Sequence, residues 1–446
     1  MAGLLTKLRW NVFVVWHARK QRGLPFRPIE EIEAIQSRRV RAMVKHAYEN
    51  VPFYREAMDQ RGLKPRDFQT AADLAQLPLV TKETLAEQPE LFVAPNFAAA
   101  PGLTLHSSGT SGTSKTVRID AAALFLARAN GHRQRAVFAK FIGRPFGYRE
   151  LRFVRPQSNV TSVEQFHDEY SWTPRRIGLT RRTLSPGDSS LEDIVAVINE
   201  FRPDLLMGYG SYVGTLFREF HCRNISVHRP KAIHYAGDVM PEADRLLIEQ
   251  EFGIPVISTY PSTEVLRIGF SCEQRSGFHL SLDAMAARIV DDDDREVGPG
   301  ESGHIIVSNL TNRATVLLNY KLGDVVTRGN LACPCGRTLP KIENIRGRSG
   351  DLVRLPDGRI MHGLVAAEPL IAIQGLRQFQ IVQQAHDRFV LRVVANTGLD
   401  KLQTSVTLAN ALRSKVGDRA SVEVEWMDTI PPGANGKVKS VISELD

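Results

Sequence analysis

The sequence has few cysteines, no secretory leader pattern and no long apolar run. Four cysteines in 446 residues are too few for a disulfide framework, so we expect a reducing, cytoplasmic setting. Segment 8–16 is largely apolar, but Arg9 interrupts it and no small-residue cleavage site follows, so no leader is predicted. No run approaches the roughly 20 apolar residues of a membrane span, and we expect no transmembrane segment.

Positive charge is in moderate excess. The 57 Lys and Arg residues against 49 Asp and Glu residues give a formal net charge of +8. This charge attracts polyanions such as nucleotides and CoA. The basic residues form no long arm, so nucleic acid is not an expected partner. Internal repeats are also lacking, and the length predicts two or three domains.

Short apolar segments alternate with helical segments in the middle of the chain. Helices are predicted at 191–201, 212–221 and 242–252, and strands at 204–207, 232–235 and 255–258. This alternation predicts a parallel α/β sheet, in which ligands bind beyond the carboxyl ends of the strands.

The flanking regions have other patterns. Residues up to about 100 are predicted to form a helical cap, followed by a helix at 121–138, a strand at 150–156 and a loop-rich stretch at 157–188. From about residue 278 the pattern is β-rich. Beyond residue 351 a compact α+β tail is predicted, with strands near 379–382, 388–394 and 422–426 and a helix at 402–415.

One short run combines hydroxyls, glycines and a terminal lysine. Glycines let backbone N–H groups turn towards a ligand, and hydroxyls and a lysine add donors and charge, so the run predicts a polyphosphate site. It is not a Walker A loop, because Ser114 stands where a glycine is required. A flexible Ser/Gly linker is the alternative. The predicted phosphate-binding residues are Ser107, Ser108, Gly109, Thr110, Ser111, Gly112, Thr113 and Lys115.

Four further motifs follow this run in order. They are Tyr-Pro-Ser-Thr-Glu at 260–264, Tyr-Lys-Leu-Gly-Asp at 320–324, Arg-Gly-Arg-Ser-Gly-Asp at 346–351 and Asn-Gly-Lys at 435–437. Together the five motifs, over about three quarters of the chain, resemble the adenylate-forming superfamily of acyl-CoA ligases, adenylation domains and luciferases. Segments 51–55, 77–82 and 333–338 are similar to the phenylacetate–CoA ligase group, with its CapK-like and deazaflavin-coenzyme adenylating relatives.

The resemblance implies a fold and an activity. The fold class would be α/β, with a large adenylate-forming domain (1–349) that has parallel sheets and a β-rich subdomain, and a small mobile α+β domain (350–446). The activity would be ATP-dependent activation of an aryl or arylacetic acid as acyl-AMP with release of pyrophosphate, then thioester formation with CoA. Three alternatives remain: transfer of the acyl group to a carrier-protein thiol or an amine, transfer of AMP itself to a hydroxyl as in the deazaflavin-adenylating relatives, and a non-catalytic CapK-like role in polysaccharide biosynthesis. A homodimer is the assembly that the resemblance suggests.

The resemblance also implies residue roles. Lys437 would be the catalytic cation, Thr263 would bind the α-phosphate, and Glu264 would help to hold Mg²⁺. Asp324 would bind the ribose hydroxyls, and Arg348 at the hinge would contact the nucleotide. The adenine would be bounded either by Tyr260 or by the backbone of Ala236, Gly237 and Asp238. Two departures from the family pattern are Pro261 in place of a glycine and Gly350 in place of a hinge Asp or Lys.

Three cysteines and a histidine form a candidate zinc set, with Cys222 set apart. Cys272, His279, Cys333 and Cys335 match the Cys₃His composition of structural zinc sites. The Cys-x-Cys spacing is tighter than in the usual zinc knuckle, and buried free thiols beside a surface histidine are the alternative. The acid pocket is expected near 209–210, Ala236 and Tyr260, with His167, Tyr170 and Trp172 as candidate lining residues.

Overall fold

The computed structural model describes most of the chain. The described residues are 2–97, 100–107, 115–172, 178–330, 332–346, 352–371, 373, 375–395, 399–430 and 439–445. Within these ranges, eight side chains are outside the description: those of Ser107, Arg346, Leu352, Ile360, His362, Leu364, Ile371 and Arg377. None of the described helices combines the length and the apolar character needed to cross a membrane.

The N-terminal hundred residues are mostly helical. They form α1 (Leu4–Gln21), α2 (Ile29–Asn50), α3 (Pro52–Gln60) and α4 (Lys82–Glu87). Along α2 the buried residues recur every three or four positions, which is the pattern of a helix that packs one face on a core. This face lies against the β-rich half of the molecule, where Gln36 Nε2 donates to the Met285 carbonyl at 2.8 Å.

A hairpin and two short helices follow. The hairpin pairs β1 (Gly102–Ser107) with β2 (Lys115–Asp120), and the helices are α5 (Ala121–Asn130) and α6 (His132–Ile142). Asp120 caps α5, because its side chain accepts from the Ala123 N–H. The stretch 121–138 is helical as predicted, but it forms two helices, because the chain breaks at Gly131.

The central elements alternate between strand and helix. They are β3 (Arg149–Phe153), α7 (Asn159–Tyr170), β4 (Thr180–Leu184), α8 (Leu191–Phe201), β5 (Leu205–Gly208), α9 (Gly210–Cys222), β6 (Ala232–Tyr235), α10 (Glu242–Glu251) and β7 (Val256–Tyr260). From α8 onwards the bounds lie within two residues of the predicted ones. The loop-rich prediction for 157–188 is wrong, because α7 and β4 lie there. Ser158 caps α7 by accepting from the Thr161 N–H.

The β-rich segment extends the same sheet. Its strands are β8 (Gly269–Phe270), β9 (Phe278–Leu280), β10 (Met285–Val290), β11 (Ser302–Asn309), β12 (Tyr320–Arg328) and β13 (Lys341–Arg346). Together the eleven strands run in the order β10-β11-β12-β13-β9-β8-β7-β6-β5-β3-β4. The strands from β7 to β4 are parallel, and β7 pairs with β8 antiparallel. The sheet therefore changes from parallel to antiparallel at β7.

The C-terminal segment has its own sheet and core. Its elements are β14 (Leu352–Arg354), β15 (Ile360–His362), α11 (Gly363–Ile371), β16 (Leu376–Ala385), β17 (Arg388–Ala395), α12 (Lys401–Val416), β18 (Ser421–Trp426) and β19 (Val441–Ser443). The four-stranded sheet has the order β18-β17-β16-β19. Two contacts join the segment to α9 and the loop before α8: Arg354 Nη1 lies 3.2 Å from Glu219 Oε1, and Arg359 Nη1 donates to the Gly187 carbonyl at 3.1 Å.

Tyr54 generates a prediction about stability. Its fully buried hydroxyl accepts from the Leu318 N–H at 2.7 Å and lies 3.2 Å from the Leu318 carbonyl, which ties α3 to the segment before β12. Tyr54→Phe leaves this buried N–H unpaired, so the free energy of unfolding in urea should fall by about 1–3 kcal/mol. The matched variant Tyr48→Phe loses a solvent-exposed bond to Asp59 and should change it by less than about 0.5 kcal/mol. Equal effects would contradict this account.

Candidate active site

A cavity of about 1960 Å³ opens beside the carboxyl ends of the parallel strands. It is lined by Gly208 and Tyr209 after β5, by Ala236 and Gly237 after β6, and by residues 261–264 after β7. Segments that follow neighbouring parallel strands meet at one edge of a sheet, and this edge is where such sheets bind ligands. Of the predicted pocket residues outside this group, His167 and Trp172 also line the cavity.

The hairpin brings the two ends of the predicted phosphate-binding run to this cavity. Leu105 and Val117 bury their side chains in the main core and anchor the two strands. His106 and Lys115 line the cavity, and Ser107 pairs with Lys115 at the loop end of the hairpin. Ser108, Gly109, Thr110, Ser111, Gly112 and Thr113 lie outside the described residues.

A buried ion pair joins Lys115 to Glu264. The Lys115 ammonium donates to Glu264 Oε1 at 2.6 Å and to the Tyr320 hydroxyl at 2.7 Å. The Tyr320 hydroxyl lies 3.3 Å from the same carboxylate oxygen. Each side chain of the pair is only 5% exposed, yet both residues line the cavity. Charges buried to this degree require a partner, and each supplies the other's.

Thr263 lies beside this pair. It lines the cavity, and its hydroxyl accepts from Asn159 Nδ2 at 3.4 Å. The same amide donates to the His106 carbonyl at 2.8 Å. Asn159 therefore bridges the hairpin and the Thr263–Glu264 segment. Sequence reasoning missed this residue, because it begins a helix in the stretch that was predicted to be loop-rich.

Tyr260 and Asp324 contact each other directly. The Tyr260 hydroxyl donates to Asp324 Oδ2 at 2.7 Å, and both side chains are buried. Opposite Ile305 the register of β12 shifts, which marks a β-bulge at 322–324. Gly323 has a φ of +88° within this bulge, a conformation that glycine adopts without strain. The bulge thus sets the direction of the Asp324 side chain towards Tyr260.

The turn after β6 places Ala236, Gly237 and Asp238. Ala236 and Gly237 line the cavity, and Gly237 has a φ of +95° with the Tyr209 ring 3.3 Å from where a Cβ would lie. The Asp238 carboxylate accepts from the Gly210 N–H and the Ser211 hydroxyl at the N-terminus of α9. The Asp238 side chain therefore holds the turn against α9, while the backbone at 236–237 faces the cavity.

The predicted catalytic lysine and the predicted hinge residues are not among the described residues. Lys437, Arg348 and Gly350 lie outside the described residues. The C-terminal segment nevertheless reaches the cavity, because Glu368 and Lys415 line it. These two side chains form an ion pair at 3.4 Å.

The structure brings the four candidate zinc ligands together beside β8 and β9, where Cys272 follows β8 and His279 lies in β9. The ligand atoms of Cys272, His279, Cys333 and Cys335 all lie within 4.8 Å of one another. The pairing of β9 with β13 places His279 opposite Lys341, and the cysteine-bearing loop before β13 folds back to it. Cys272 Sγ and Cys333 Sγ are 3.8 Å apart. Two thiolates at about 2.3 Å from a tetrahedral zinc ion are separated by about this distance.

The histidine of this cluster is oriented for a ligand. His279 Nδ1 lies 3.0 Å from the Leu339 carbonyl, so Nδ1 carries the proton and Nε2 faces Cys335 Sγ at 3.3 Å. Burial lowers the pKa of His279 to about 4. Burial acts to raise the pKa of Cys335, but the Arg337 N–H and guanidinium together lower it. A neutral imidazole and a stabilised thiolate are the forms that bind zinc.

Known proteins are similar both to the C-terminal segment alone and to nearly the whole chain. The family profile of the CapK C-terminal domain matches residues 354–444. Phenylacetate-coenzyme A ligase of Thermus thermophilus is 27% identical over 449 residues, which cover 93% of this chain and 97% of the relative. Protein CapK of Staphylococcus aureus is 21% identical, over 94% of this chain and 91% of the relative.

A solved structure shares the fold. It is 2-hydroxyisobutyryl-CoA ligase in complex with 2-HIB-AMP and CoA in the thioesterification state, with a TM-score of 0.61 and 20% identity. The alignment covers 94% of this chain and 91% of that chain. The chain therefore shares the fold of this acid–CoA ligase, and over most of its length it is similar to phenylacetate-coenzyme A ligase and to CapK, with a CapK C-terminal domain at residues 354–444.

Proposed function

We propose that this protein activates a carboxylic acid with ATP, forming an acyl adenylate and pyrophosphate, and then transfers the acyl group to the thiol of CoA. The observation that carries the proposal is the buried Lys115–Glu264 pair on the cavity wall, at the loop end of the hairpin, next to the predicted phosphate-binding run. A lysine and a carboxylate placed together can receive a polyphosphate and its metal ion at the same place.

The adenylation step brings an anionic acid to an anionic nucleotide. A carboxylate oxygen forms a bond to the α-phosphorus of ATP, and the bond from that phosphorus to the pyrophosphate oxygen breaks. Catalysis of this step depends on neutralising charge and fixing positions. We assign Thr263 to the α-phosphate and Lys437 to the attacking carboxylate. Lys115 and the run 107–113 are assigned to the β- and γ-phosphates.

The remaining nucleotide contacts are assigned by position. Asp324 and Tyr260 form one hydrogen-bonded unit, which we assign to the ribose and the adenine, with the 236–238 turn and Arg348 completing the site. Glu264 fits magnesium, which prefers oxygen ligands, because its carboxylate lines the cavity beside the phosphate side of the site. When bound there, magnesium would neutralise the phosphate charge that develops during adenylation. Glu264 would exchange part of its contact with Lys115 for this ion.

The experiment that tests the proposal is pyrophosphate release from ATP and Mg²⁺ with a panel of carboxylic acids, with and without CoA. We expect release that depends on one class of acid, with AMP and a CoA thioester as products. Lys437→Ala should lower acid-dependent release about 100-fold or more. The matched variant Lys401→Ala, on the exposed start of α12, should leave it unchanged. Release that ignores CoA would indicate another acceptor, and no release with any acid would overturn the proposal.

The buried pair generates a second prediction, because its two roles can be separated. Lys115→Met leaves the Glu264 carboxylate buried without its cation, so the free energy of unfolding should fall by about 3–5 kcal/mol. The double variant Lys115→Met/Glu264→Gln should recover most of that stability in urea denaturation. Its ATP–pyrophosphate exchange should remain at least about 100-fold below that of the wild type. Recovery of exchange together with stability would contradict the assigned role.

We also propose that Cys272, His279, Cys333 and Cys335 hold a structural zinc ion. Three thiol sulfurs and one imidazole nitrogen are a recognised tetrahedral donor set, and the ion would tie the loop before β13 to β9. The cluster lies on strands other than those that carry the nucleotide-site residues. We therefore assign it to stability and not to the reaction.

Metal analysis checks the zinc proposal. The purified protein should contain about one zinc ion per chain, measured by mass spectrometry of the metal content, because the four ligands are close together before metal binds. Cys335→Ser should lower that content and the melting temperature. The control Cys222→Ser, which changes an exposed cysteine outside the cluster, should alter neither. Equal zinc content in Cys335→Ser and the wild type would refute the site.

A further inference from the structure

One side of the cavity is cationic and lies away from the phosphate-binding hairpin. It is formed by the end of α5 and the start of α6, where Arg128, His132, Gln134, Arg135 and Phe138 line the cavity. Positions 134 and 138 are one helical turn apart and so share a face of α6. Arg267, from the turn after Glu264, lies against this side, and its Nε donates to the Ala127 carbonyl at 2.9 Å.

Arg267 has no carboxylate partner among the described residues. The charged groups that act on it are Arg133 and Arg135, and burial together with these two arginines lowers its pKa to about 10. The guanidinium is therefore still charged at neutral pH. Its Nη2 lies 3.0 Å from the place where a Cβ on Gly131 would be, so it fills the break between α5 and α6. Arg267 is partly exposed, and it lines the cavity. A cation that loses part of its hydration without gaining an anion is destabilised, and an anionic ligand would offset that cost.

Gln134 provides an independent observation. The residue is 4% exposed and lines the cavity, yet neither its amide nitrogen nor its amide oxygen has a hydrogen-bond partner among the described residues. Unpaired buried amides are rare in native structures and call for a partner. The cavity-lining acids Glu150 and Glu164 do not serve as its partner. Glu150 is already paired with Arg181 at 2.8 Å, and Glu164 is paired with Arg152 at 2.5 Å.

The histidines here are neutral and the nearby wall is apolar. Burial, together with Arg267, lowers the pKa of His234 to about 3, and burial with the surrounding arginines lowers that of His132 to about 4. The positive charge at this end therefore comes from the arginines. Phe138, Tyr148, Phe153 and Met207 also line the cavity, and they offer an apolar surface for a carbon skeleton.

We propose that the acid activated here carries a second anionic group, which binds Arg267 and the amide nitrogen of Gln134 while its other carboxylate is adenylated. The substrate class is an acid with an apolar, ring-sized spacer and a distal carboxylate or phosphate-like group. This inference rests on the proposed function and sharpens it, because the family resemblance by itself implies an uncharged aryl or arylacetic acid. An uncharged ring at this place would leave the guanidinium without an anionic partner and the amide without a hydrogen-bond partner.

The test compares acids that share one skeleton. Phenylacetate, 4-carboxyphenylacetate and 4-phosphonophenylacetate are assayed by ATP–pyrophosphate exchange in the absence of CoA, which excludes any contribution from the phosphates of CoA. We expect the wild type to prefer a distal anion about 10- to 100-fold in kcat/KM, the usual range for a charge-assisted hydrogen bond. The carboxylate and phosphonate arms distinguish which anion the site accepts.

Variants assign the preference to the two residues. Arg267→Met should abolish the preference for a distal anion, Arg267→Lys should retain part of it, and Gln134→Leu should weaken it. Gln134→Leu should also raise the melting temperature of the free protein, because it removes an unpaired buried amide. The control Arg182→Met, at a surface arginine paired with Glu200, should leave the preference unchanged.

Failure of the inference can be told apart from failure of the proposed function. If phenylacetate is used as well as its charged analogues, or if Arg267→Met keeps the preference, the inference is overturned while acid activation stands. If no acid supports exchange, the proposed function fails, and binding then decides the inference. A melting-temperature shift with 4-carboxyphenylacetate in the wild type but not in Arg267→Met supports it, and equal shifts overturn it.

Discussion

The site depends on the buried contact between Lys115 and Glu264. It joins the first residue of β2 to the segment after β7. The Tyr320 hydroxyl, at the start of β12, also contacts the Lys115 ammonium. Glu264 and Tyr320, which lie 149 and 205 positions after Lys115 in the sequence, thus meet at its ammonium group. A buried ion pair adds little net stability compared with apolar packing, but removing one partner is strongly destabilising. Such a pair holds the three segments in one arrangement and can also be released by a ligand that offers its own charges.

The sheet places this contact where the strand direction changes. β7 is parallel to β6 on one side and antiparallel to β8 on the other, and the chain between β7 and β8 carries residues 261–267. A turn that crosses this junction presents successive residues to different walls of one cavity. Thr263 and Glu264 face the hairpin, while Arg267 reaches the end of α5. The same seven residues therefore bring the predicted nucleotide contacts and the cationic end of the cavity close together.

Much of this architecture follows from the sequence pattern, and the exceptions have physical reasons. The elements from α8 to β7 were predictable, because apolar strands and amphipathic helices alternate there with clear punctuation. Helix α7 was missed because only Phe166 and His167 are buried along its length while much of the rest faces the cavity, so it lacks an apolar stripe. The zinc candidates were recognisable as a residue set, but their proximity depends on β9 pairing with β13, which local pattern does not specify. Asn159, Gln134 and Arg267 carry no motif, and only the fold shows that they face one cavity.

The contacts of the C-terminal segment set a limit on how the two half-reactions can be organised. Arg354–Glu219 and Arg155–Glu368 are partly exposed ion pairs between this segment and the rest of the chain, and pairs of this kind each contribute about 0–1 kcal/mol. A few such contacts define an orientation without making it permanent, and neither comes from the apolar core that holds the segment together. On the proposed role of Lys437, a tail that presents this residue for adenylation and then admits a thiol would need this combination of a rigid interior and an exchangeable surface. Such a change of orientation would then break the polar contacts at its border and leave its own core intact.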